Sequence, residues 1–312
     1  MPASLLHSFH AVGVVLILTA CGYFCAAAGW ITREVKGFLS RYIMRVAVPV
    51  MCVYAMRSNL SMELLRASGP LLLVPALCSG ALWLLSGLLG RAFGLGPRRQ
   101  SVFKTMCTVS NAMFIGYPRS LELVGEECVP CVMLFFLVNT AYSQLLCVAG
   151  IRRACGGGGG SPGAALRSFF TTPPVIGVLL GVLIVLTDFR PPELLMSCAR
   201  YVNNTVTPLE LLLAGAVIRE IGLKSLRPDR ILLGTLGFRF LLAPALTLAL
   251  CALLGVDGLA RSVLVVQSAM PVLVQTVVAS TEYGGDEQLA ARGVALSTLA
   301  CFVVIPALML LL

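Results

Sequence analysis

Ten apolar runs, most of them about the twenty residues a helix needs to cross a hydrocarbon core, follow one another through nearly the whole chain. They cover residues 6–28, 38–56, 71–93, 105–124 and 129–151, then 173–186, 194–218, 231–254, 259–281 and 289–312. The run at 173–186 is short, and the apolar pattern predicts that it begins nearer residue 169. With 58% of residues hydrophobic, 12% charged and a mean hydropathy of +0.93, so much apolar surface has no soluble core to enter. An all-α polytopic membrane protein of ten spans is expected. The first run has no basic segment ahead of it and is too long for the apolar core of a leader peptide, so it is read as the first span.

Basic residues collect in short cytoplasmic loops and set the orientation. The odd-numbered connections carry Arg33, Lys36, Arg41, Arg91, Arg98, Arg99, Lys104, Arg152, Arg153, Arg167, Arg219, Lys224, Arg227, Arg230 and Arg292. The even-numbered ones carry Arg57, Arg66, Arg119, Arg190, Arg200 and Arg261. Fifteen against six predicts cytoplasmic odd loops and both termini outside, in a cell membrane, the inner one if the chain is bacterial. The formal net charge of +9 is therefore a topology signal and predicts no nucleic-acid partner.

Two prolines stand inside apolar runs at matching places in the two halves, Pro118 in the fourth and Pro271 in the ninth. A proline ring removes a backbone donor and collides with the preceding turn, and in lipid the freed carbonyls find no water. Such a defect survives where it lines a protein-enclosed cavity, and paired defects point to the binding site of a secondary transporter. Pro49 and Pro208 form a second pair, and the offsets agree to within a loop: 208 − 49 = 159 and 271 − 118 = 153. Two five-helix repeats follow, residues 1–151 and 169–312, and five being odd, the second enters from the opposite side. Between them, residues 152–168 hold five consecutive glycines and read as a flexible cytoplasmic linker, with no lysine and hydroxyl to make a phosphate loop.

Half-helix N-termini at such a crossing favour an anion. Side-chain amides nearby would orient it: Asn111 lies two turns before Pro118, and Gln267 and Gln275 lie one turn to either side of Pro271. The same amides serve equally as interhelical glue. Glu210, two residues after Pro208 and deep in an apolar run, is a candidate proton-coupling carboxylate or a partner for Arg45 or Arg239. Arg239 is expected to snorkel to the interface. Arg119 could draw an anion into an outer vestibule or simply pair with Glu122.

The segments GYFCAAAGWITREVKGFLSRYIMRVAVPVMCVYAM, SNAMFIGYP, FFTTPPVIGVLLGVLIVL, TPLELLLAGAVI, RFLLAPAL and SAMPVLVQTVVASTEYGGDEQLAARGVALSTL together resemble the auxin efflux carrier family of permeases. That family includes bacterial malate and malonate permeases and plant auxin exporters. The resemblance implies ten helices in two inverted repeats, with spans four and nine broken and crossed, as in sodium/proton antiporters and bile acid symporters. It further implies a scaffold of spans one, two, six and seven that dimerises, and a mobile remainder that carries a small carboxylate by an elevator movement. Asn111, Pro118, Pro271 and Asn139 match recurrent family positions. Gln275 stands where the family often has asparagine, and Glu210 where it usually has a small or hydroxyl residue.

Most of the twelve cysteines are isolated in apolar runs and read as small apolar residues. Cys128 and Cys131 have redox-type spacing, which leaves a disulfide open, and no ligand set for a metal completes itself around them. No enzyme motif occurs, and no cofactor is expected. The sequence thus predicts a secondary carrier of small organic anions in a lipid bilayer, with proton or sodium coupling possible. The competing readings are a cation-coupled transporter of the bile acid type and a non-transporting sensor or channel.

Overall fold

The computed structural model describes residues 3–59, 62, 69–117, 120, 125–156, 173–222 and 227–309. Among these the chain is helical, and its nearest approach to a sheet is one antiparallel bridge between Ser110 and Val272. In chain order the helices are α1 (Ala3–Ala27), α2 (Arg33–Tyr42), α3 (Val48–Asn59), α4 (Gly69–Ala92), α5 (Pro97–Thr108), α6 (Val129–Tyr142) and α7 (Ala149–Ala154). Then come α8 (Pro173–Leu186), α9 (Glu193–Ile221), α10 (Arg230–Gly237), α11 (Ala243–Leu254), α12 (Gly258–Ser268), α13 (Gln275–Tyr283) and α14 (Glu287–Met309).

Among the described residues, four stretches are long and apolar enough to cross a membrane: Arg33–Ser58, Gly69–Ala92, Pro130–Ala154 and Arg230–Leu254. Three of these are helix pairs joined by a widened π turn, at Ile43–Ala47, Ser143–Val148 and Phe238–Leu242. Proline explains two of the turns. Pro49 and Pro244 each follow one closely, and the widened turn takes up the carbonyl that a proline ring four residues on would strike. Pro208, by contrast, sits within the uninterrupted α9.

The runs at 105–124 and 259–281 are not continuous helices. The first leaves the helix at Thr108 and resumes with a π turn at Ala112–Gly116; the second stops at Ser268 and restarts at Gln275. Pro271 lies inside the second gap, as expected. The first gap falls at Val109–Asn111, well ahead of Pro118, which lies outside the described residues together with Arg119 and Glu122. The glycine run beyond Gly156 and the expected start of the sixth run near residue 169 also lie outside them.

Backbones approach closely where glycine permits. α1 packs along α9, with Gly22 against the backbone of Leu212 and Gly215 against that of Thr19. α8 packs along α3, where a Cβ on Gly177 would stand 2.5 Å from Pro49 Cα. Small residues at such crossings let helices gain dispersion contact where lipid offers no hydrophobic drive. Away from them, large apolar side chains such as Leu194, Leu253 and Val303 are exposed, as suits a lipid-facing surface. At one end, Lys36 bonds Glu220 at 2.7 Å and Glu287 at 2.9 Å, and Arg45 meets Glu282 at 2.9 Å, tying α2 and its π turn to α9, α13 and α14.

Candidate functional site

The two gaps meet. The Asn111 amide donates to the Pro271 carbonyl at 2.9 Å, beside the Ser110–Val272 bridge. Open backbone inside an apolar molecule must find partners, and here side chains supply them. Asn139 on α6 accepts from the Ser110 amide at 3.0 Å through Oδ1 and donates through Nδ2 to the Ser110 carbonyl at 2.9 Å. The Val272 amide donates to Ser297 Oγ of α14 at 3.1 Å.

Behind the meeting point lies Arg239, 1% exposed, in the π turn between α10 and α11. Its Nε donates to the Met270 carbonyl at 2.9 Å and its Nη2 to that of Ser268 at 2.6 Å. Its Nη1 donates to Cys107 and Thr108 at 3.3 and 3.4 Å. The expected snorkelling is corrected by this arrangement: four buried carbonyls at two helix ends, all within one fork of donors, hold the guanidinium inside. Arg45 is engaged with Glu282, so neither arginine is the partner of Glu210 that the sequence allowed.

In front of the meeting point opens a cavity of about 330 Å³. Ser110, Asn111, Leu273 and Gln275 wall it from the gaps, Asn139 and Gln144 from α6 and its π turn, and Met51 and Tyr54 from α3. α9 contributes Asn203, Asn204, Thr207 and Glu210. Both amide atoms of Asn111 lack partners though the residue is 1% exposed, and so do Gln275 Nε2 and Gln144 Oε1. Gln275 Oε1 is taken, receiving Gln144 Nε2 at 2.8 Å, so its remaining donor is the atom left over. Glu210 is 2% exposed, and no hydrogen bond or ion pair reaches it among the described residues. A buried polar atom without a partner costs about 1–3 kcal/mol, and several of them gather around this one hollow.

Of the residues singled out in the sequence, Asn111, Asn139, Gln275 and Glu210 share this cavity. Asn139 differs from the rest in having both ends of its amide engaged by Ser110. Gln267 is fully buried on another side of the crossing, where Nε2 donates to Ser120 Oγ at 3.0 Å and Gly116 packs against it. Pro271 contributes its carbonyl to Asn111 and does not line the cavity. Sequence reasoning passes over Gln144, Asn203 and Thr207. The last two are findable, since 203, 207 and 210 are spaced as one helical stripe on an otherwise apolar span. Cys128 and Cys131 at the head of α6 are free thiols, both buried.

Interrupted helices meeting beside a buried polar cavity, in an apolar chain that is helical through its described residues, are the arrangement of a multi-pass membrane transport protein. The chain belongs to the membrane transport protein family that holds the auxin efflux carriers, whose family model matches residues 7–150 and 163–309. It is similar to an uncharacterized transporter of Methanocaldococcus jannaschii, 27% identical over 303 residues and 94% of each chain. A second uncharacterized transporter, from Methanothermobacter thermautotrophicus, is 24% identical over 296 residues, again 94% of each chain.

Proposed function

We propose that the chain is a secondary carrier of small carboxylates whose guest binds in the cavity at the crossing, with Glu210 as the coupling group. The observation that carries this reading is the set of unpartnered amide atoms on Asn111, Gln275 and Gln144 beside the start of α13. Amide donors and a helix N-terminus together suit a carboxylate. Glu210 in the same hollow makes the binding conditional, because two carboxylates confined in so small and dry a space cannot both stay ionised. An anion therefore enters with a proton on Glu210, which couples its movement to a proton gradient.

The architecture that supports alternating access is two inverted repeats of five helices, residues 1–151 and 169–312. α1 packs on α9 and α8 packs on α3, which are the same contact once first and sixth, and second and seventh, elements are exchanged. The two gaps meet each other, as a self-related pair should. By likeness to its family, the helices around the gaps form the part that moves and the scaffold pairs as a homodimer; the basic residues of the odd connections put both termini outside the cell.

Uptake of radiolabelled malate, malonate and indole acetate into proteoliposomes, with and without a pH gradient, tests the reading. Saturable counterflow is expected from a carrier, whereas unitary currents would make it a channel. Equal fluxes from the wild type and Asn111→Ala would remove the site assignment.

A second reading, sodium coupling, is favoured by one feature: the oxygens of Glu210, Asn111 and Gln144 face a cavity with no lysine or arginine among its lining residues. Uptake unchanged when choline replaces sodium would dismiss it.

A further inference from the structure

Building on the carboxylate reading of the cavity, we propose that Arg239 is the positioning residue that makes the site hospitable to an anion, acting through the backbone of both gaps without touching the guest. The cavity wall holds no basic side chain and one acidic one, Glu210. Worse for an anion, two helices end with their carbonyls at the crossing, α5 at Thr108 and α12 at Ser268. Each such end carries about half a negative charge, so together they would set about one full negative charge beside the hollow.

Arg239 answers that charge. Its four bonds go to Cys107 and Thr108 of α5, to Ser268 at the end of α12 and to Met270 two residues past it, and no acidic side chain pairs with it among the described residues. One guanidinium charge against two half charges leaves the rear of the crossing near neutral. The separation from the guest is short, because Ser110 belongs both to the cavity wall and to the small recess where Arg239 sits with Cys78 and Ser79. With the rear neutralised, the start of α13 and the unpartnered donors of Asn111 and Gln275 decide what the cavity accepts. A lysine could keep the charge but not the planar fork that reaches two helix ends at once.

The test separates charge from simple stapling by reading KM, which does not depend on how much carrier folds. Full-length wild type, Arg239→Gln and Arg239→Lys are reconstituted, and malonate uptake is measured over a range of concentrations. Arg239→Gln should raise KM by about tenfold or more, with Arg239→Lys in between. Ser79→Asp, which places an acid in the same recess and leaves every bond of Arg239 to its carbonyls available, should also raise KM, while Ser79→Asn should not. An unchanged KM in Arg239→Gln, or in Ser79→Asp should the glutamine variant not reach the bilayer, overturns the role. Absence of carboxylate flux from the wild type would instead defeat the reading of the cavity itself, and this role with it.

Discussion

The two sides of the helix crossing are built from similar polar atoms and treat them oppositely. At the rear, Arg239 satisfies four carbonyls. At the front, Asn111 has neither amide atom bonded and Gln275 has a donor to spare. The carbonyls at the rear are satisfied, with the Thr108 hydroxyl left over; at the front, unpartnered amide atoms of Asn111, Gln275 and Gln144 gather around a hollow. Asn111 and Asn139 share the cavity wall and still differ: Asn139 closes both backbone groups of Ser110, while the Asn111 side chain bonds nothing.

Four substitutions can break or sharpen that contrast. Asn111→Ala is expected to have the largest effect, reducing carboxylate uptake by about a hundredfold while the melting temperature in detergent stays at the wild-type value, since no bond is lost. Uptake within a few-fold of wild type would erase the distinction. Glu210→Gln should abolish the response of uptake to a pH gradient and leave counterflow exchange running; a retained response would take Glu210 out of the coupling. Asn139→Ala should do the reverse of Asn111→Ala, orphaning two buried backbone groups of Ser110 at about 1–3 kcal/mol each. Thermal unfolding should then occur well below the wild-type temperature, and an unshifted transition would show that the gap does not need its side-chain partner.

Asp229 lies far from the crossing and serves as the control. Its Oδ1 accepts from the Ile231 and Leu232 amides at the start of α10, and its Oδ2 meets Arg292 at 2.9 Å. Burial raises its carboxyl pKa, but the two amides and Arg292 outweigh burial and hold it below the ordinary 3.8. A depressed carboxylate contributes stability above its unfolded value and loses it as pH falls through the folded one. Asp229→Ala should cost about 1 kcal/mol at neutral pH, read as a small drop in melting temperature that vanishes in acid, with transport kinetics unchanged. A change in KM would mean that distant caps reach the cavity after all.

Much of this is legible in the residues alone, and the failures have physical causes. Pro271 announces its gap because a proline inside an apolar run leaves a helix few ways to continue. The companion gap carries no proline: it opens at Val109–Asn111, where Asn139 and Pro271, remote in sequence, replace the missing helical bonds. Pro118 lies outside the described residues and past that gap. Glu210 stands out as a carboxylate in an apolar setting. Arg239 stands out equally and misleads, because its destination depends on carbonyls that become available only once two helices have been interrupted elsewhere. Gln267 and Gln275 are symmetric about Pro271 in sequence, yet the chain reverses their surroundings by leaving the helix between them.

The side chain of Asn139 occupies the place that a neighbouring strand would fill in a sheet, gripping one residue of the gap by its donor and its acceptor together. Such a grip has a register. α6 cannot slip by even one residue along the gap without giving up both bonds at once. Any rearrangement that exposes the hollow first to one side of the bilayer and then to the other must therefore carry α6 and the gap as a single rigid piece, with sliding confined to surfaces that hydrogen bonds do not index.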